Sequence, residues 1–233
     1  MHATRKPRVK ICCIRSLDEA MMATDAGAAA LGLVSRMPSG PGVITEEEIA
    51  RIAARVPPGV ATFLLTSELD VRAIIAQQKR TGVNTLQIVD RLESNAHQEL
   101  RAALPGIALV QVIHIRGRAS SEEALAVAPH VDALLLDSGN PELAVKELGG
   151  TGRTHDWSIS RRIRETAPVP VFLAGGLIAA NVAEAIRQVE PFAIDVCSGV
   201  RTEGRLDSAK LADFFRAVSA ATPAEAGPAP TTR

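Results

Sequence analysis

The sequence predicts a single-domain α/β protein with the (β/α)₈ fold of the TIM barrel. Eight apolar runs of strand length recur along the 233 residues, and a stretch with helical spacing follows each run. The runs are continuously apolar, which is typical of parallel strands that are buried on both faces. An open doubly wound sheet usually has about five to seven strands, so eight strand–helix units favour a closed barrel.

The strand and helix signals alternate along the whole chain. Two helix starts are marked especially clearly. Residues 16–19 (SLDE) fit a capping box with Gly27 as the predicted stop, and residues 45–48 (TEEE) open the next helix before Pro57. The predicted strands are, in chain order, RVKICCI, AALGLV, VATFLL, NTLQIV, IALVQVI, VDALLLD, VPVFLA and PFAIDVC.

The predicted domain organisation is simple. Residues 1–8 form an N-terminal extension, and residues 9–221 form the barrel domain, with no internal boundary. Residues 222–233 (TPAEAGPAPTTR) are small, polar and rich in proline, so we expect a disordered C-terminal tail.

Composition limits the classes of partner and the compartment. The 26 basic and 26 acidic residues balance, and an aromatic content of 3% without tyrosine disfavours stacking on single-stranded nucleic acid. Three cysteines cannot form a disulfide framework, and the neighbours Cys12 and Cys13 cannot bridge each other without strain. No apolar stretch has the length of a signal peptide or a membrane span. We therefore expect a cytoplasmic protein whose partners include neither nucleic acid nor a membrane.

Strand alternation predicts which side chains reach the barrel mouth. In such a barrel the reactive groups lie at the carboxyl ends of the strands, and successive strand residues alternate between the interior and the helix layer. If Cys12 points inward, so does Lys10, whereas Cys13 faces the helices. Asp137, which ends the sixth strand, then lies at the mouth. A buried Lys10 needs a partner, and Asp195 on the neighbouring eighth strand is the predicted one.

Two glycine-containing loops predict an anion site. LAGGL, with Gly175 and Gly176, ends the seventh strand, and CSGVR, with Ser198 and Gly199, ends the eighth. Small residues let main-chain N–H groups approach a ligand, and barrels commonly hold a phosphate between these two loops. The glycine-rich segment GGTGRTHDW (149–157) predicts a mobile cover over the site.

The segments VKICCI, LLLDS, GGTGRTHDW, LAGGL and PFAIDVCSGVR resemble, in order and spacing, the phosphoribosylanthranilate isomerase family of tryptophan biosynthesis, from Lys10 to about Phe215. The resemblance implies an Amadori rearrangement of N-(5-phosphoribosyl)anthranilate to 1-(2-carboxyphenylamino)-1-deoxyribulose 5-phosphate, without a metal or an organic cofactor. It assigns the general base to Cys12 and the general acid to Asp137. The expected partner is then a small phosphorylated sugar derivative. We expect a monomer or a homodimer.

The chain departs from the family pattern at several positions. Cys13 stands where the family usually has glycine, Asp90 adds a carboxylate at the end of the fourth strand, and Arg201 replaces a glutamate. The arginine that holds the anthranilate carboxylate in the family corresponds to Gly42 here. Arg36, several residues earlier, is the candidate for that role if its loop folds back.

Two other functions stay open. The same acid–base pair could serve a different phosphoribosyl substrate, or the barrel could bind a phosphoribosyl ligand without catalysis. A binder needs neither Cys12 nor Asp137, so their presence argues against the second alternative. The other candidates are expected to be structural or solvated: Cys13 and Cys197 as packing residues, Arg116 and Arg201 as solvated side chains, and His114, His155 and Trp157 in structural or exposed positions.

Overall fold

Eight of the described strands form a closed parallel barrel, as the sequence predicts. The computed structural model describes residues 6–93, 95–139, 142, 146 and 152–221. The last strand pairs with the first, with Lys10 opposite Asp195, and this pairing closes the barrel. The barrel strands are β1 (Arg8–Ile11), β2 (Ala30–Val34), β3 (Ala61–Thr66), β4 (Thr85–Ile88), β5 (Ala108–His114), β6 (Ala133–Asp137), β7 (Val171–Leu173) and β8 (Ala193–Val196).

A helix follows each barrel strand within these ranges. The helices are α1 (Leu17–Asp25), α2 (Glu46–Ala53), α3 (Val71–Thr81), α4 (Ala96–Ala103), α5 (Ala119–Val127), α6 (Trp157–Thr166), α7 (Val182–Val189) and α8 (Ser208–Ala221). Between β8 and α8 the chain makes a short 3₁₀ turn, Ser198–Val200, and a small hairpin of β9 (Arg201–Thr202) and β10 (Arg205–Leu206). This hairpin extends the loop after β8 beside the barrel mouth.

The predicted helix starts are confirmed by their caps. The Ser16 hydroxyl accepts a hydrogen bond from the main-chain N–H of Glu19 at 3.2 Å, which fixes the start of α1. The Thr45 hydroxyl accepts from the N–H of Glu48 in the same way. Gly27 follows the end of α1 with φ +99°, a conformation that glycine adopts without strain.

Two layers of buried side chains hold the barrel. The layer between strands and helices includes Ile11, Leu31 and Leu64, which are fully buried, and the layer inside the barrel includes Phe63 and Phe172. Burial of a large aliphatic side chain stabilises a fold by about 1.5–3 kcal/mol. The outer layer therefore fixes the strand ends, on which the loops of the mouth are built.

The predicted tail, 222–233, lies outside the described residues, and so do residues 1–5 of the predicted extension and 149–151 of the predicted cover. None of the helices in the described ranges has the length and apolar character needed to cross a membrane. The same ranges contain no group of three His, Cys, Asp or Glu side chains arranged to hold a metal ion.

Candidate active site

A cavity lies at the carboxyl ends of the strands, and most of the predicted site residues line it. Cys12 after β1, Asp137 at the end of β6, Gly175 and Gly176 after β7, and Ser198 after β8 all contribute to its wall. The structure thus brings together the predicted acid, the predicted base and both loops of the predicted anion site.

Cys12 is 5% exposed and follows directly on β1, where its N–H donates to the carbonyl of Val196 at 2.8 Å. Gly32 on β2 makes room for its side chain. A Cβ atom at Gly32 would lie 2.8 Å from Cys12 Sγ and 3.0 Å from Lys10 Nζ. The predicted inward direction of both Cys12 and Lys10 is confirmed by this shared contact.

Lys10 is fully buried and donates to Asp195 Oδ1 at 2.9 Å, so the predicted ion pair is confirmed. Burial has the largest single effect and lowers the pKa of Lys10, but the charge and the hydrogen bond of Asp195, together with Cys12 and Cys13, outweigh it and hold the pKa above its ordinary value. The ammonium group is therefore charged, and it lies behind Cys12 inside the barrel.

Asp137 is 8% exposed, and its Oδ1 accepts a hydrogen bond from the N–H of Ser138 at 2.7 Å. Burial raises the pKa of this carboxyl group above the ordinary aspartate value, although the Ser138 hydrogen bond and the charge of His114 act in the opposite direction. A raised pKa favours the protonated form that a general acid requires.

The anion loops are built by close approach of three chain segments. Gly175 and Gly176 have φ of +85° and +59°, and a Cβ at Gly176 would lie 2.5 Å from the carbonyl carbon of Arg153. Gly199 packs against the loop after β7, because a Cβ there would lie 2.0 Å from the Leu177 carbonyl oxygen. Glycine is thus required sterically at these positions, whatever ligand they hold.

Cys13 does not face the helix layer, so that prediction is wrong. β1 ends at Ile11, and strand alternation no longer applies two residues later. Cys13 has φ +63°, in the left-handed region that favours glycine, and its side chain lines the cavity beside Cys12. Cys197, also predicted to be a packing residue, lines the same cavity.

Arg201 was predicted to be solvated, and this prediction is also wrong. Its side chain is 6% exposed, because the β9–β10 hairpin turns it towards the loop after β1. Nη2 donates to the carbonyl oxygens of Cys12 at 3.2 Å and Cys13 at 2.6 Å, and the guanidinium group makes a bidentate ion pair with Glu19. Arg201 therefore ties the main chain of the predicted base to helix α1.

The remaining candidates take separate positions. Arg36 is exposed, and the cavity wall in its loop is formed by residues that follow it, such as Met37 and Pro41. Asp90 is 9% exposed and pairs with Lys146 from the loop after β6. Arg116 pairs with Glu142 of that loop and is partly exposed.

His114, His155 and Trp157 make contacts within the protein and do not line the cavity. A ring nitrogen of His114 lies 3.0 Å from the Val89 carbonyl oxygen, and His155 Nε2 lies 2.7 Å from the Ser160 hydroxyl. Burial lowers the pKa of His155 to about 4, so its imidazole is neutral at pH 7. Trp157 is partly buried against the outer core layer, as expected for a structural residue.

Gln87 is a site residue that the sequence analysis did not single out. It lies on β4, is 4% exposed and lines the cavity. Its amide oxygen is buried and has no hydrogen-bond partner among the described residues. The signal in the sequence is a glutamine between apolar residues in the run NTLQIV, at an inward strand position.

The ionisable carboxyl groups on the cavity wall are not balanced by basic side chains within the described part of the chain. Asp137 and Asp195 line it, and no arginine or lysine side chain of the described ranges does. Gly42, which the sequence predicts to stand at the family arginine's position, packs directly on Cys13, since a Cβ there would lie 2.5 Å from the Cys13 Cβ. The chain therefore has no room for a side chain at position 42.

The comparisons with known proteins agree with this geometry. The family model described as N-(5'phosphoribosyl)anthranilate (PRA) isomerase matches residues 9–217. N-(5'-phosphoribosyl)anthranilate isomerase 2 of Methanosarcina mazei is 34% identical over 209 residues, which cover 89% of this chain and 92% of that protein.

Solved structures are similar over almost the whole barrel. The phosphoribosyl anthranilate isomerase of Thermotoga maritima has a TM-score of 0.78 and 28% identity, with 92% of this chain and 99% of that chain covered. A phosphoribosyl anthranilate isomerase in complex with reduced 1-(o-carboxyphenylamino)-1-deoxyribulose 5-phosphate has a TM-score of 0.75, 26% identity and the same coverage. The chain belongs to the N-(5'-phosphoribosyl)anthranilate isomerase family.

Proposed function

We propose that this protein catalyses the Amadori rearrangement of N-(5-phosphoribosyl)anthranilate to 1-(2-carboxyphenylamino)-1-deoxyribulose 5-phosphate in tryptophan biosynthesis. The observation that carries the proposal is that Cys12 and Asp137 line one cavity together with the glycine loops after β7 and β8. Acid, base and anion seat are thus available to a single small molecule. A relative of known structure holds a reduced form of this product.

The two side chains divide the proton transfers. Asp137, whose pKa is raised by burial, gives a proton to the furanose oxygen while the bond from that oxygen to C1′ breaks and the amine nitrogen forms a double bond to C1′. Cys12, acting as a thiolate, then removes the proton from C2′, and the electron pair forms an enolamine that tautomerises to the ketone. Positioned acid and base groups each contribute about 10²–10⁴-fold to such a rate.

Binding of the substrate is divided among three parts of the wall. Gly175, Gly176 and Ser198 are the proposed phosphate contacts, where main-chain N–H groups supply donors, and Gly199 lets the two loops approach each other. The unpaired amide oxygen of Gln87 is the proposed acceptor for a ribose hydroxyl group. No step requires a cofactor.

The aglycone end of the cavity favours a second candidate function. No cationic side chain of the described ranges lines the wall, and Cys13 fills the space beside Gly42. Arg36 remains our candidate for the carboxylate; its side chain is exposed and does not line the cavity, so this role requires the loop after β2 to turn it inward. If it does not, the same acid–base pair serves a phosphoribosyl amine with a different aglycone. A binder without catalysis is disfavoured because it would need neither Cys12 nor Asp137.

Complementation separates these functions. The full chain should restore growth without tryptophan to an auxotroph that lacks the isomerase, and the purified protein should turn over N-(5-phosphoribosyl)anthranilate. An Arg36→Ala variant with raised KM would support the carboxylate role. Absence of growth together with turnover of a phosphoribosyl amine that lacks the carboxylate would favour the second candidate. We also propose a cytoplasmic location and a monomeric or homodimeric state. Size-exclusion chromatography with light scattering tests the oligomeric state.

A further inference from the structure

A separate cavity of about 360 Å³ lies at the amino ends of the barrel strands, opposite the substrate cavity. Each of the eight strands contributes its first or second residue to the wall, from Arg8 on β1 to Ala193 on β8. We call it the amino-end cavity. Its wall is mostly apolar and shares no residue with the wall of the substrate cavity. It is therefore a distinct site and not an extension of the candidate active site.

The amino-end cavity exists because the strand ends around it carry small residues. Barrel interiors are usually filled by layers of bulky, branched side chains. Five strands here begin instead with an alanine that lines the cavity, namely Ala30, Ala61, Ala108, Ala133 and Ala193. Ligand pockets have volumes of about 300–1,000 Å³, and an apolar cavity of about 150 Å³ already admits benzene. The amino-end cavity is therefore large enough for a molecule with one aromatic ring.

Three phenyl rings line this cavity from its opening to its inner end. Phe192 is 39% exposed, whereas Phe63 is 4% exposed and lies inside the barrel. The centre of the Phe172 ring lies 5.6 Å from that of Phe192 and 5.8 Å from that of Phe63, and both pairs of rings are tilted. Tilted contacts at this spacing are the geometry that aromatic rings prefer. The wall therefore favours an aromatic ring as its occupant.

Arg8 places a positive charge at the opening of the cavity. Its guanidinium carbon lies 4.5 Å from the centre of the Phe192 ring, and its side chain is exposed. Within the described ranges no carboxylate pairs with this group. The two other charged residues of the wall are already paired, Lys10 with Asp195 and Asp132 with Arg101. An available guanidinium group beside an aromatic wall favours an aromatic molecule that carries an anionic group.

We propose that the amino-end cavity binds a small aromatic carboxylate, whose ring packs against Phe172 and Phe192 and whose carboxylate pairs with Arg8. Lys10 bounds the inner end of the cavity, with Nζ 5.2 Å from the centre of the Phe63 ring, and its ion pair with Asp195 separates the bound molecule from the substrate cavity. The proposal does not depend on the proposed isomerase function.

Titration calorimetry of the full chain with benzoate as the probe tests the location of the site. Wild type should bind one benzoate per chain. Ala61→Leu fills the cavity from a partly buried position and should abolish binding. Arg8→Gln changes only an exposed side chain, so it keeps the test available if Ala61→Leu does not fold, and it should raise the Kd about fivefold. Arg72→Gln, exposed on α3, is the matched control and should leave the Kd unchanged. No binding to the wild type, or a Kd that Arg8→Gln leaves unchanged, would overturn the proposal.

Two further probes test the chemical class of the ligand. Benzyl alcohol keeps the ring without the charge, and cyclohexanecarboxylate keeps the charge without the aromatic ring. Both should bind to the wild type at least about threefold more weakly than benzoate, because each lacks one of the two contacts. Arg8→Gln should leave the Kd of benzyl alcohol unchanged. Equal affinity for benzyl alcohol and benzoate would contradict the role of Arg8. Loss of benzoate binding when the reduced product analogue is added would place benzoate in the substrate cavity and overturn the proposal.

Discussion

Lys10 and Asp195 form a buried ion pair at 2.9 Å across the seam where β1 and β8 close the barrel. The pair lies directly beneath Cys12, since the space above Gly32 is bounded by both Lys10 Nζ and Cys12 Sγ. The closure of the barrel and the placement of the base therefore depend on the same two side chains.

Removing one partner of this pair should be much more damaging than removing both. Asp195→Ala leaves the Lys10 ammonium unpaired inside the barrel, and we expect a loss of about 3–5 kcal/mol in the free energy of unfolding. Lys10→Met combined with Asp195→Leu should recover most of that loss. Urea denaturation of the three proteins measures it, and equal stability of Asp195→Ala and the wild type would show that the lysine is not buried in solution.

Arg201 should support the turn that carries Cys12. Arg201→Met leaves the partly buried Glu19 without its ion-pair partner and removes the donor to the carbonyl oxygens of Cys12 and Cys13. We therefore expect a loss of about 3–5 kcal/mol in stability and a fall in kcat among the molecules that remain folded. Arg187→Ala is the matched control, because its ion pair with Glu184 is exposed on the surface of α7. The control should show no measurable change in urea denaturation or in turnover. A similar result for both variants would contradict the role of Arg201 in holding the turn at Cys12 and Cys13.

The Arg201–Glu19 ion pair should make the stability of the protein depend on pH in a definite direction. The pKa of Glu19 lies below its ordinary value, because the hydrogen bonds from Arg201 and from the Leu206 N–H outweigh the effect of burial. A lowered folded-state pKa contributes stability above the unfolded-state pKa, and this stability is lost as the pH falls through the folded-state pKa.

Asp137 has the opposite linkage. Its folded-state pKa is raised by burial, so the folded protein binds the proton more tightly and loses stability as the pH rises from the ordinary aspartate pKa through the folded-state value. Asp137→Asn should therefore be more stable than the wild type near pH 7, and the difference should shrink as the pH falls. Turnover should decline as the pH rises through the pKa of Asp137. Denaturation at several pH values tests the stability, and equal curves for the two proteins would contradict the raised pKa.

Glycine should be required at position 176, because a larger residue would disturb the packing of the loops after β6 and β7. Gly176→Ala places a Cβ 2.5 Å from the Arg153 carbonyl carbon at φ +59°, so the loops after β6 and β7 must separate and KM should rise. Gly82→Ala is the matched control, since Gly82 has φ +66° and no atom lies within 4 Å of the added Cβ. The control should lose only about 1–2 kcal/mol in the free energy of unfolding, because alanine is strained in this left-handed conformation. Its KM should not change. Steady-state kinetics of both variants decide this point, and an unchanged KM for Gly176→Ala would remove the loop from the anion site.

The regular parts of the molecule were predictable from the sequence, and the turns were not. Apolar runs and capping boxes report local preferences, so the eight strands, the caps at Ser16 and Thr45 and the inward direction of Cys12 followed from them. The direction of Cys13 depends on a left-handed turn just beyond β1, where strand alternation no longer applies. The burial of Arg201 depends on Glu19, which is distant in the sequence and meets it only after the barrel closes.

The roles of Cys12 and Asp137 are tested most directly by separating turnover from binding. In Cys12→Ser and in Asp137→Asn, kcat for N-(5-phosphoribosyl)anthranilate should fall by about 10²–10⁴-fold. The Kd of a reduced product analogue, measured by titration calorimetry, should change by less than about threefold, because both substitutions keep the size of the side chain and leave the glycines of the anion loops unchanged. Turnover within a few-fold of the wild type in either variant would contradict the assigned acid and base.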